Sequence, residues 1–99
     1  MARRLNPNYN IDYEIFSALI DYQEKRYDEA FAVLDRLPSP LRDDILEVNY
    51  LYGKLYEPRG DRDKAIYFYR KALASTQRLR IIFPPTVSEE LKRVEAIGR

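Results

Sequence analysis

Ninety-nine residues, 45% of them hydrophobic and 33% charged, suit one globular domain with a single apolar core and fit neither a disordered nor a multidomain chain. Histidine and cysteine are both absent, which excludes disulfides, the common zinc sites, Cys-His nucleophilic pairs and Ser-His-Asp triads. The net charge of +1 conceals a gradient, because residues 1–61 carry 8 basic and 12 acidic groups and residues 62–99 carry 9 and 4.

Residues 1–9 read as a flexible polar arm around the turn-prone Asn6-Pro7-Asn8, with the domain proper over 10–99. Asn10 can cap a first helix that runs from Ile11 to about Lys25, with Asp12 and Glu14 in its positive first turn. Its apolar positions (Ile11, Ile15, Phe16, Ala18, Leu19, Ile20, Tyr22) form a stripe broad enough to meet neighbours on more than one side. A second helix from Tyr27 to about Leu37 places Tyr27, Ala30, Phe31, Leu34 and Leu37 at three- and four-residue steps. The connection is so short that the two helices must be antiparallel.

Pro38-Ser39-Pro40 stops the second helix, and Ser39 and Pro40 suit the cap and first position of a third, expected from Pro40 to about Glu57. Leu41, Ile45, Val48, Tyr52, Leu55 and Tyr56 mark its stripe. Pro58 ends it, and Arg59-Gly60-Asp61 supplies a turn and the next cap. In the fourth helix Ala65, Phe68, Tyr69, Ala72, Leu73, Thr76, Leu79, Ile82 and Phe83 keep the helical period as far as Pro84, predicting one long helix over 62–83 whose second half overhangs its partner. Thr86-Val87-Ser88-Glu89 has the form of a capping box for a last helix, with Val87, Leu91, Val94 and Ile97 as its stripe and Gly98 as terminator. The fold expected is all-α, with five helices and no strand.

Shifting the chain by 35 positions sets Ala18 on Gly53, Ala30 on Ala65 and Leu34 on Tyr69, and superposes the turns Glu24 to Asp28 and Arg59 to Asp63. Repetition at this period marks stacked helix pairs, in which small residues stand where helices approach and bulky ones fill the gaps. The second unit resembles the tetratricopeptide repeat through Gly53, Tyr56, Gly60, Ala65, Tyr69, Ala72 and Leu73. It departs from that pattern at Asn49, Tyr52 and Arg62, and no proline closes it after Leu73. The first unit keeps Ala18, Tyr22, Tyr27, Ala30 and Leu34. The resemblance spans residues 11–83 and implies two stacked antiparallel hairpins, an α-solenoid, with the last helix as a cap.

The resemblance further implies a concave groove lined by the first helix of each pair, here Asp12, Ile15, Leu19, Tyr22 and Gln23 followed by Glu47, Tyr50, Lys54 and Glu57. It lacks the basic set by which some family members clamp a peptide carboxylate. Arg70, Lys71 and Arg78 project from one side of the fourth helix as a basic strip able to contact phosphates. Asp43-Asp44 and Glu89-Glu90 stand near helix starts, where negative charge is expected anyway. The chain therefore reads as a protein-protein interaction module, not an enzyme, with no cofactor and no metal. Its partner would be a protein or peptide segment laid in the groove or on the exposed fourth helix. A self-assembling subunit or homodimer is the alternative, and phosphate or nucleic-acid binding the less favoured one. No run approaches the roughly 18 apolar residues of a membrane span, and the N-terminus lacks the apolar centre of a secretory signal, so a cytoplasmic location is expected.

Overall fold

The computed structural model describes residues 11–38 and 42–96. It contains α1 (Ile11–Gln23), α2 (Tyr27–Asp35), α3 (Leu46–Tyr56), α4 (Arg62–Ala74) and α5 (Pro84–Ala96), with a single 3-10 turn at Arg42–Asp44 before α3. Among the described residues there is no strand, only an isolated bridge between Ile45 and Gln77. The N-terminal arm, Asn10, the Ser39-Pro40 cap and Leu41, and the Ile97-Gly98 terminus lie outside the described residues.

α3 is the centre of the molecule. Every residue from Leu46 to Gly53 is buried, as is Leu55. Val48, Leu51, Tyr52 and Leu55 join Ile15 and Ala18 of α1 and Ala30, Phe31, Val33 and Leu34 of α2 in one apolar cluster. Leu46 and Tyr50 join Ala65, Tyr69 and Ala72 of α4 and Val87 and Val94 of α5 in another. A helix that must satisfy both clusters has apolar side chains nearly all round, which is why its sequence stripe is wide.

The 35-residue repetition extends to the backbone. Lys25 and Gly60, 35 apart, both adopt left-handed φ values, 65° and 76°. Around them the bonds pair off: Lys25 N to Tyr22 O (3.0 Å) matches Gly60 N to Glu57 O (2.9 Å), and Arg26 N to Asp21 O (2.8 Å) matches Asp61 N to Tyr56 O (3.1 Å). Each set is the double closure that satisfies the last carbonyls of a helix. Asp61 then caps α4, its Oδ1 accepting from Lys64 N at 3.2 Å.

Three expected elements are corrected. The third helix does not run continuously from Pro40, because Ile45 is extended (φ −104°, ψ 125°) and its neighbours bond across to Gln77: Leu46 N donates to Gln77 O (2.9 Å) and Gln77 N to Asp44 O (3.1 Å). The fourth helix stops at Ala74. Ser75 is extended, Arg80 is left-handed at φ 66°, and residues 75–83 form an irregular connection. Side chains from the 3-10 turn and the start of α3 offer this segment better partners than a helix would: Asp44 accepts from Thr76 N (2.9 Å) and from its hydroxyl, and Glu47 accepts from the amides of Leu79, Ile81 and Ile82 at 2.9, 3.0 and 3.1 Å. Finally, α5 begins at Pro84, and Thr86 lies within its first turn rather than capping it, its amide donating to Phe83 O. Prolines in the first turn need no amide partner.

Candidate functional site

The nine groove residues separate into three environments. On α1, Ile15 is buried in the first cluster and Leu19 and Tyr22 pack against it, while Asp12 and Gln23 are exposed. At the start of α3, Glu47 is buried and committed to the 75–83 segment. Farther along α3, Tyr50, Lys54 and Glu57 face α5. The Tyr50 ring lies 5.9 Å from that of Tyr69, Lys54 Nζ is 3.4 Å from Glu90 Oε1, and Glu57 accepts from Arg93 Nη2 at 2.8 Å and from the Tyr69 hydroxyl. Lys54 also sits 5.9 Å from the Tyr22 ring centroid, so α1 and α3 do converge there.

α5 is fastened over this surface by more than Val87 and Val94. Arg62 donates from Nε and Nη2 to the carbonyls of Val94 and Glu95, both at 3.1 Å, and Arg70 Nη2 reaches Glu95 Oε2 at 2.6 Å. Burial and the Glu57 carboxylate together raise the Tyr69 phenol, keeping it a neutral donor. Burial alone would raise the Glu90 carboxyl, but its bonds and charges from Arg93 and Lys54 outweigh that and hold it below the usual carboxylate range.

The basic strip is divided. Arg70 pairs with Glu95, and Lys71 pairs with Asp43 at 3.8 Å and lies 5.7 Å from the Tyr67 and Phe68 centroids. Arg78 is not on α4 at all. With Arg80, Ile82 and Phe83 it lines a cleft of about 660 Å³ beside the irregular segment. The Arg59-Gly60-Asp61 turn is internally engaged, since Arg59 stacks 4.1 Å over Phe31 and Asp61 caps α4.

One apolar surface on α1 was passed over by the groove prediction. Tyr13, Phe16 and Ile20 on α1 are 69%, 47% and 49% exposed. Their counterparts 35 residues on are Val48, Leu51 and Leu55, which are 0%, 1% and 0% exposed in the first cluster. The same helical face is thus covered on α3 by α1 and α2, and open on α1. The signal was present in the sequence as the unusual breadth of the α1 stripe.

No helix among the described residues is long and apolar enough to cross a membrane. Comparison with protein-family models, with curated proteins and with solved structures finds no match.

Proposed function

We propose that this chain is a tetratricopeptide-like helical-repeat module that binds another protein through the outward face of α1. On this reading α1–α2 and α3–α4 are successive stacked hairpins, and α5 is a lone additional helix closing the far end. The observation that carries the reading is the contrast between exposed Tyr13, Phe16 and Ile20 and their buried 35-residue counterparts. A face that repeats in sequence and is covered in one copy is a surface shaped for a helical neighbour. Three large apolar side chains at i, i+3 and i+7 also provide the anchor spacing of helix recognition. The interior of the anticipated groove is a poorer candidate, because residues 75–83 and α5 engage its α3 side at Glu47, Lys54 and Glu57.

The test uses a partner captured from the source cells on the wild-type chain and then purified. Phe16→Ser combined with Ile20→Ser should weaken its binding at least about tenfold with helical circular dichroism unchanged. Ala32→Ser, at an exposed position of α2, should leave binding as it was. Equal affinity for all three proteins would sink the reading.

A further inference from the structure

Independently of the α1 face, we infer that the cleft beside residues 75–83 binds an acidic peptide segment, one whose carboxylates flank a bulky apolar side chain. Arg78, Arg80, Ile82 and Phe83, with Thr76 and Gln77, line this open space of about 660 Å³, which is within the size range of ligand clefts. Two guanidiniums and two apolar side chains thus share one cavity. Among the described residues neither Arg78 nor Arg80 has a side-chain partner, whereas Arg59, Arg62, Arg70 and Arg93 are all engaged. The carboxylates that reach this segment are committed to other donors: Asp44 accepts from Thr76, and Glu47 accepts from the amides of Leu79, Ile81 and Ile82. The donors of Arg78 and Arg80 therefore stay open, in the forked form that matches a carboxylate.

The backbone holds this arrangement in place. Leu79, between the two arginines, packs against the first apolar cluster, and Ile82 packs against the second. Glu47, only 1% exposed, grips the amides on either side of Arg80. Arg80 is left-handed at φ 66°, a conformation that strains any residue with a Cβ and that glycine adopts freely. Lys25 shares it but closes a helix, and Arg80 closes none. A strained residue, clamped by a buried carboxylate and carrying an unpartnered cation into a cleft, is the pattern of a side chain retained for contact with a ligand. Phe83, 55% exposed, offers a ring on which a base could stack, but a run of phosphates passing along the lining would meet Asp44 beside Thr76. A peptide with two carboxylates satisfies Arg78 and Arg80 and extends no charge farther. Its apolar side chain covers Ile82 and Phe83, combining acidic-motif capture with a buried anchor.

The experiment titrates the full chain with two fluorescently labelled peptides that share a central Leu and differ in carrying Glu or Gln on both sides of it, and with a labelled oligothymidylate. The Glu peptide should bind at least about tenfold more tightly than the Gln peptide, and its advantage should shrink as salt rises. Arg78→Gln with Arg80→Gln should remove that advantage while the circular dichroism stays unchanged. Arg80→Gly should also weaken the Glu peptide, although relief of the left-handed strain keeps the urea unfolding midpoint from falling. Phe83→Ser should weaken both peptides, and Phe16→Ser with Ile20→Ser should leave the Glu peptide's affinity as it was. Equal binding of the two peptides, no binding of either, or Glu-peptide binding indifferent to both arginine variants overturns the inference. Loss of binding in the α1 variant alone assigns the peptide to that face and also overturns it. Oligothymidylate binding tighter than that of the Glu peptide and dependent on Arg78 and Arg80 makes the cleft a nucleic-acid site, which overturns it as well.

Discussion

At Gly53 a single hydrogen atom decides how closely two helices approach. A Cβ built there would stand 2.5 Å from Tyr69 Cε1 and 2.9 Å from its Cζ, and Tyr69 is fully buried with its hydroxyl held by Glu57. The ring cannot swing into solvent without losing both. Gly53→Ala should therefore destabilise the fold by about 1–3 kcal/mol, as overpacking of a closed core does, and urea unfolding would show it as a lower midpoint with an unchanged slope. The corresponding residues of the first unit are Ala18 and Leu34, both wholly buried. There a methyl stands in the same buried cluster as Leu, a smaller side chain than Tyr. This reciprocal exchange of bulk was legible from the 35-residue alignment. Lys25 was harder to read, because lysine rarely signals a left-handed helix end; only its alignment with Gly60 discloses that role.

Among the elements, the connection from Ser75 to Phe83 is where periodicity and structure part. Thr76, Leu79, Ile82 and Phe83 do recur at helical spacing, and Leu79 and Ile82 do pack against the two apolar clusters. They get there along an irregular backbone, because Glu47 and Asp44 supply acceptors that compete with helical carbonyls. Asn49 adds a third hold, donating from Nδ2 to Ser75 Oγ at 3.0 Å. The warning in the sequence was the pair of polar residues, Glu47 and Asn49, on a helix otherwise destined for burial, where polar groups need partners. Glu47→Ala strips the acceptor from three amides at once. The expected cost is about 2–5 kcal/mol, accompanied by faster hydrogen exchange at Leu79, Ile81 and Ile82. Glu47→Gln, which keeps one carbonyl oxygen, should cost less.

The same attachments make the C-terminal elements acid-sensitive. Bonds from the Thr76 hydroxyl and amide lower the Asp44 pKa below its ordinary 3.8, and Glu90 is held below its ordinary 4.5 by Arg93 and Lys54 against the opposing effect of burial. Depressed carboxylates stabilise in full above the ordinary values and lose that contribution as pH falls through the lower, folded ones. Unfolding stability should accordingly drop below about pH 4.5, and Asp44→Asn with Glu90→Gln should flatten that part of the profile. A double variant with the wild-type acid slope would show that these two carboxylates do not set it.

Across the whole molecule the two ends differ in kind. α5 buries Val87 and Val94 and turns charge outward, whereas α1 buries Ile15 and Ala18 and turns Tyr13, Phe16 and Ile20 outward. The all-helical fold was readable from spacing and turns alone. Which apolar positions stay exposed was not, since period 3.6 reports a face and not what covers it. Ile20 and Leu55 make this measurable, standing at the same place in the two units with opposite environments. Leu55→Ala, deep in the first cluster, should cost about 2–5 kcal/mol, while Ile20→Ala should change stability by no more than about 0.5 kcal/mol. Denaturant titration of the two variants side by side measures the difference. A cost for Ile20→Ala close to that for Leu55→Ala would mean that α1's outer face is already covered in the isolated chain, and the docking surface would then have to be sought elsewhere.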